Sequence, residues 1–366
     1  MSITETIISP YQSKEAYVTL LVNDNFSIGV EVLLYTLLKY RDNQDNRDII
    51  LLITPNVSKL IQKKLVSLYP QLQILIVNSI ANPQAIPKTT SNNNESDSNT
   101  TTTVHVQGWI DSGYTKLHIW SLINYTRILY LDADMLITQS GISNIWNYPS
   151  PLPYDIHSSI SSSSSSTSTS SSSVLTPFFV TPPCAVPDVF PPDKFNAGLL
   201  LIEPNMDTFN DMLNKLITLP SYDGGDTGFL NAYFSVWFTS TIAEHILANL
   251  SSTSPYRSSP RLPFGYNAQR ILHWFTNPKA PGYWKSIQPL IIIHYSSTPK
   301  PWENTKRLGD LELLWFNTMT NMQLERTTNI SIPQIISQNS SASALVPVKC
   351  EEKEVNEPDV GVSNDG

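Results

Sequence analysis

The sequence predicts an α/β protein built on an open, Rossmann-like sheet, and three observations carry that reading. Short apolar runs rich in β-branched residues recur at residues 16–22, 49–53 and 72–77. Between them lie two segments whose apolar residues return at helical spacing, giving the βαβαβ alternation that implies parallel strands and right-handed crossovers. The run 127–131 is then broken abruptly by Asp132, Ala133 and Asp134, as expected where a buried strand ends at a ligand site.

The elements follow in order. Residues 16–22 form the first strand, ended by Asn23 and Asp24, which both cap helices well. Ile28, Val32, Leu33, Leu37 and Leu38 then recur on one helical face, interrupted by Glu31 and Lys39, so this helix covers the sheet. Residues 49–53 and 72–77 supply the second and third strands around a helix over 57–69. No Gly-rich fingerprint follows any strand, which argues against dinucleotide redox chemistry. Residues 81–106 are too rich in Pro, Asn, Ser and Thr to order themselves by burial and read as a flexible insert. From Tyr114 onward, Leu117, Trp120, Leu122 and Ile123 predict a helix leading into the strand at 127–131. A second flexible insert covers 150–192, nearly all Ser and Thr over 158–173 and Pro-rich thereafter. Order returns with a strand over 195–202, a helix over 206–219, a helical run over 229–238 and a last strand over 290–294. One domain over 1–330 and a disordered acidic tail over 331–366 complete the reading.

Composition narrows the function. A formal net charge of -8 gives no electrostatic footprint for nucleic acid or an anionic membrane. Cys184 and Cys350 stand at no metal-like spacing and give no disulfide framework. Residues 1–14 lack the apolar core of a signal peptide and no apolar run is long enough to span a bilayer, so a cytoplasmic protein is expected.

The chemistry-bearing stretch is Asp132-Ala133-Asp134, whose two carboxylates emerge together as surface groups at a strand end. Oxygen ligands one residue apart suit a hard divalent cation, and the coordination positions they leave open suit the diphosphate of a sugar nucleotide. Alone, such a pair is usually a solvated turn.

The ordered motifs Val18-Thr19-Leu20-Leu21-Val22-Asn23-Asp24, Tyr114-Thr115-Lys116-Leu117-His118-Ile119-Trp120, Leu131-Asp132-Ala133-Asp134, Phe195-Asn196-Ala197-Gly198, Asp223-Gly224-Gly225-Asp226, and His294 with Lys300-Pro301-Trp302 settle between those alternatives. Together they resemble glycosyltransferase family 8, the glycogenin and galactinol-synthase-like enzymes. The resemblance implies a GT-A fold, a single nucleotide-sugar-binding domain with a mixed central sheet. It also implies retaining transfer of a hexose from a UDP-sugar to a hydroxyl acceptor that is a carbohydrate, inositol or protein, with Mn2+ as cofactor and a homodimer as an open option. By the same resemblance Asp132, Asp134 and His294 hold the metal, and Lys300 holds the diphosphate. Leu20, Val22, Asn23 and Phe26 surround the nucleoside, Lys116, Ala133, Asn196, Ala197 and Ser297 contact the donor, and Asp223 and Asp226 lie beside the transferred sugar. Helix capping is the competing reading of Asp223 and Asp226.

Three departures from the family pattern stand out. Thr227 replaces a usual Gln, Ser297 a Gly, and the self-glucosylated Tyr of glycogenin falls near Trp274, where an indole offers no acceptor oxygen. The alternatives are therefore a glycogenin-like initiator using another Tyr, an inositol galactosyltransferase, or a catalytically idle binding relative.

Overall fold

The computed structural model describes residues 15–83, 112–156, 176–239, 260–277, 282–303 and 309–330. Most of the tracts expected to be flexible inserts, 84–106 and 157–175, and the tail 331–366 lie outside the described residues.

Six strands form the central sheet: β1 (Glu15–Leu21), β2 (Asp48–Ile53), β3 (Leu72–Ile76), β4 (Arg127–Leu131), β8 (Cys184–Pro187) and β9 (Phe195–Ile202), in the order β3-β2-β1-β4-β9-β8. The first four are parallel, whereas β9 runs antiparallel to β4 and β8 antiparallel to β9, so the sheet is mixed as expected. Alternation along β1 sends Tyr17 and Leu21 into one core and Ala16 and Val18 into the other. Helix α1 (Ser27–Tyr40) covers the first face with Val30, Leu33, Leu34 and Leu37, while α2 (Lys59–Leu68) contributes Leu65. The second face is covered by α3 (Met206–Lys215) and α4 (Asp226–Tyr233), with Met212 and Phe229 buried. Strands covered on both faces have no exposed side on which to place polar residues, which is why β4 and β9 read as continuous apolar runs.

A second sheet of three strands follows on from the carboxyl end of β4. β5 (Met135–Ile137) leaves the Asp132–Asp134 turn and pairs antiparallel with β11 (Ile292–His294), which also pairs with β10 (Ala268–Gln269) in the order β10-β11-β5. Gln269 begins a turn into α5 (Arg270–Thr276), and α6 (Asp310–Ile330) closes the described chain. The chain divides into compact units at Met322, and every strand belongs to the first.

Three expectations change. The helix expected from Tyr114 is a 3-10 helix over Thr115–Ser121, a tight winding suited to so short a piece, held by Thr115 Oγ1 accepting from the Ile80 amide at 3.0 Å. The Pro-rich end of the second insert is ordered. β7 (Phe179–Val180) pairs with β6 (Tyr154–Asp155), and β8 is the sheet's edge strand, where Pro187 sacrifices no interior ladder bond. The other side of β8 is met by the Ala185 amide donating to Pro260 and the Leu262 amide donating to Ala185, each at 2.8 Å. Finally, α6 was not anticipated by the apolar pattern, since only Leu311, Trp315 and Met322 among its described apolar residues are fully buried.

Candidate active site

Two sheet junctions build the site. Beyond β4 the Asp132 amide donates to the Gly198 carbonyl at 2.8 Å, tying the acidic turn to β9. On its other side His294 stands opposite Met135 in the β11–β5 register, and the Tyr295 amide donates to the Asp134 carbonyl at 3.0 Å. The turn is thus pinned from both sides, and ligand atoms of Asp132, Asp134 and His294 lie within 4.8 Å of one another. Two glycines make the approach possible. A Cβ on Gly198 would collide with the His294 ring, and one on Gly29 of α1 would stand 2.6 Å from the Ala133 carbonyl oxygen.

The imidazole is oriented by a chain of amides. The Gly198 N–H can only donate, so its partner on Asn196, at 3.0 Å, is the side-chain carbonyl. Asn267 therefore presents its NH2 to that same oxygen at 2.9 Å, and turns its own carbonyl toward His294 Nδ1 at 2.8 Å. Nδ1 must then carry the proton, which leaves the Nε2 lone pair facing Asp134 at 3.3 Å and Asp132 at 3.9 Å. Two carboxylates and a neutral ring nitrogen with its second nitrogen hydrogen-bonded are a donor set that fits a borderline divalent ion.

Two buried lysines occupy the same carboxylates. Lys300 Nζ lies 2.5 Å from Asp134 and donates to the Tyr295 carbonyl at 2.8 Å. Lys116 Nζ pairs with Asp132 at 3.1 Å and with Asp226, and donates to the Ala197 carbonyl at 3.0 Å. Its ammonium also lies 5.0 Å from the centre of the Tyr130 ring, whose hydroxyl donates to Asp132 at 2.7 Å. Burial alone would lower the Lys116 pKa, but the charges of Asp132 and Asp226 outweigh it and hold the ammonium above its ordinary value. Burial would likewise raise Asp134, yet the charge of the Lys300 ammonium outweighs it and holds the carboxyl well below the carboxylate range. Asp226 goes the other way: burial raises it, Lys116 offsets only part of that, and the negative charge of Asp132 adds to it.

The remaining expected residues fall as follows. Leu20, Val22, Asn23 and Phe26 are partly buried at the carboxyl end of β1, and Asn23 caps a short 3-10 turn by accepting from the Asn25 amide at 3.0 Å. Phe26 packs edge to face on Trp302 with centroids 5.4 Å apart, joining that turn to the Lys300 loop. Ala133 is buried against α1. Ala197 is fully buried and both its backbone groups are taken, the amide by Thr227 Oγ1 at 3.3 Å and the carbonyl by Lys116. The carbonyl oxygen of Asn196 is likewise committed, so a sugar hydroxyl could meet only its NH2. Asp223 Oδ1 accepts from the Gly225 and Gly228 amides, both at 2.9 Å, and from Ser221 Oγ at 2.8 Å, satisfying orphan donors at the start of α4. The capping role weighed for it from sequence is therefore present in the fold.

Asn267 and Arg270 were missed. Arg270 is 1% exposed and donates to Ser297 O at 2.6 Å, Pro299 O at 2.9 Å and Glu312 Oε1 at 2.9 Å, fastening the loop that carries Ser297 and Lys300 to the start of α6. Both lie in a short segment whose strand spans two residues, so no periodicity marked them.

Comparison with known proteins identifies the family and the fold. The family model described as glycosyl transferase family 8 matches residues 17–306. Glycogenin-1 of Mus musculus is 28% identical over 309 residues, 84% of this chain and 75% of that protein. Inositol phosphorylceramide glucuronosyltransferase 1 of Arabidopsis thaliana is 27% identical over 80% of this chain, which spans 43% of that longer protein. Among solved structures, the galactosyltransferase LgtC in complex with donor and acceptor sugar analogs superposes with a TM-score of 0.52 at 13% identity, covering 87% of this chain and 98% of that one. The bifunctional glycosyltransferase WbbM gives 0.51 at 15% identity over 88% of this chain and 52% of that one. The fold is GT-A, no described helix is long and apolar enough to cross a membrane, and the chain belongs to glycosyl transferase family 8 as a glycosyltransferase.

Proposed function

We propose that the chain transfers a hexose from a UDP-sugar to a hydroxyl acceptor with retention of anomeric configuration, using Mn2+ held by Asp132, Asp134 and His294. One observation carries the reading: two carboxylates and an oriented imidazole converge where two sheets meet, with a buried ammonium on each carboxylate. When bound, the ion would neutralise charge accumulating on the departing diphosphate. Lys300, a point charge on the same carboxylate, would follow that charge onto the phosphate oxygens. The end of β1, with Leu20, Val22, Asn23 and Phe26, suits the nucleoside, and the Asn196 NH2 suits a sugar oxygen.

Asp226 is buried and paired with Lys116, which weakens it as a nucleophile while leaving negative charge beside the anomeric carbon. This favours same-face attack assisted by the leaving phosphate over a covalent intermediate. A self-glycosylating second reading needs an accessible Tyr: Tyr266 is 7% exposed, whereas Tyr283 is 54% exposed. The test is a panel of UDP-sugars with and without Mn2+, followed by UDP release, product mass and intact-protein mass. Manganese-dependent release of UDP supports the proposal, hexose mapped to Tyr283 establishes the initiator instead, and no turnover with any donor defeats both.

A further inference from the structure

Four large aromatic side chains close to the candidate site remain open to solvent. Phe190 is 67% exposed, Phe275 57%, Tyr222 50% and Trp274 45%, although rings of this size are ordinarily drawn out of water. They are grouped. Phe190 and Phe275 meet edge to face with centroids 6.2 Å apart, and Trp274 precedes Phe275 on α5. The Trp274 ring is backed by the Arg270 guanidinium at 4.7 Å, so it is held in place while nearly half its surface stays accessible.

Short steps join this group to the transfer centre. Gln269, directly before α5, pairs with His294 in the β10–β11 register. Its Nε2 donates to Asp188 Oδ1 at 3.0 Å, which places the loop leading to Phe190 beside the same strand. Arg270 in turn donates from Nη2 to Ser297 Oγ at 2.9 Å, in the loop that carries Lys300. Tyr222 directly precedes Asp223, whose carboxylate accepts from the Gly228 amide at the start of α4.

We infer that Phe190, Trp274, Phe275 and Tyr222 form the acceptor platform, and that the acceptor is a neutral carbohydrate of two or more pyranose units. The inference rests on the glycosyl-transfer reading and deepens it by naming the acceptor class. A pyranose has apolar C–H faces and a polar rim, so it lies flat on aromatic rings while its hydroxyls meet groups such as Asp188 and Gln269. Fixed rings bind such a ligand with little loss of side-chain freedom. Charge discriminates among acceptors: the carboxylates of Asp188 and Asp223, on the segments that carry Phe190 and Tyr222, would repel an anionic sugar or a phospholipid head group. Several rings spread over three segments also exceed what a lone inositol could cover.

The test is calorimetric titration of the full chain, with UDP and Mn2+ present, using maltopentaose, cellopentaose and xylopentaose as probes. At least one should bind, and Trp274→Ala and the double variant Phe190→Ala with Phe275→Ala should each weaken it about tenfold. UDP affinity in the presence of Mn2+ should stay within about twofold, because these exposed rings do not touch the metal cluster. Absence of binding by all three probes while UDP binds, or binding indifferent to the substitutions, overturns the platform. So does a change in sedimentation from dimer to monomer in the variants, which would make the patch an interface between copies. Failure of the wild-type chain to bind UDP with Mn2+ strikes instead at the glycosyl-transfer reading beneath it.

Discussion

At the scale of single residues, Asp134 governs the charge balance of the site. The sequence presents it as a surface carboxylate, whereas it is 6% exposed, with Lys300 at 2.5 Å and His294 at 3.3 Å. Asp134→Asn therefore does two things: it removes the charge that would hold a divalent ion, and it leaves a buried ammonium without its counter-charge. Turnover should fall by about 100-fold or more at every manganese concentration. Stability should also drop, by about 3 kcal/mol, because breaking one partner of a buried pair strands the other. The pH dependence has a definite sign. A carboxylate depressed on folding contributes stability above its ordinary value of 3.8, and that contribution is lost as pH falls through the native value. Urea unfolding should show the gap between wild type and variant full at pH 7 and narrowing below pH 3.8. Near-normal turnover in the variant would mean that residues 132–134 are only a turn. Asn267 gives a second, subtler handle, since its carbonyl selects the His294 tautomer. Asn267→Asp keeps that acceptor but loses the NH2 given to Asn196, whereas Asn267→Leu loses both. In direct manganese titrations with UDP present, affinity should fall about 10- to 100-fold in the Leu variant and recover partly in the Asp variant. Equal affinity in all three proteins would remove the orienting role.

At the scale of elements, Arg270 connects pieces that share no hydrogen-bonded ladder: the start of α5, the Ser297–Pro299 loop and the first turn of α6. Arg270→Lys keeps the charge but not the planar fork that reaches several acceptors at once. It should lower the melting temperature modestly and raise the KM for the UDP-sugar more than it lowers kcat, since the loop carrying Lys300 loses its fastening. A lowered melting temperature with unchanged KM would make the contact purely structural. The same region marks the limit of what the sequence discloses. β1, β2, β4 and β9 are legible because burial on both faces demands uninterrupted apolar runs, and β3, a partly exposed edge strand, is legible from its short apolar run between turns. Asp132 and Asp134 are legible because they end such a run, and His294 because it ends another. β5 and β10 span three and two residues, too few for any period to register, and β8 is disguised by prolines that an edge strand tolerates. Asn267 and Arg270 act through partners 27 to 71 residues away in sequence, so their roles exist only once the second sheet has formed.

At the scale of the whole molecule, the central question is how a chain carrying long polar tracts retains one continuous site. The answer lies in where the tracts attach. The Ser-rich stretch over 158–173 departs after β6 and returns before β7, and those two strands pair with each other, Tyr154 opposite Val180 and Asp155 opposite Phe179. The tract is thus bracketed by its own ribbon, and its removal need not pull on β8 or β9. Deleting 158–173 leaves every described contact in place and shortens the loop to be closed, which on polymer grounds changes stability by only about 1 kcal/mol. Extending the deletion to residue 192, the full insert suggested by composition, removes Cys184, Ala185 and Val186, each no more than 1% exposed. It also exposes the edge of β9, whose Leu200 and Leu201 pair with Ala185 and Cys184. Burial lost on that scale, with an unpaired edge left behind, is more than a marginally stable domain withstands. The short deletion should therefore melt within about 4 °C of the intact chain, the shift that about 1 kcal/mol produces in a domain of this size, and should keep its UDP affinity. The long deletion should aggregate or show no cooperative transition. Calorimetry of the two proteins decides the matter: a large destabilisation by the short deletion would mean that the Ser-rich tract takes part in the folded core, and a well-folded long deletion would mean that β8 is dispensable to the sheet.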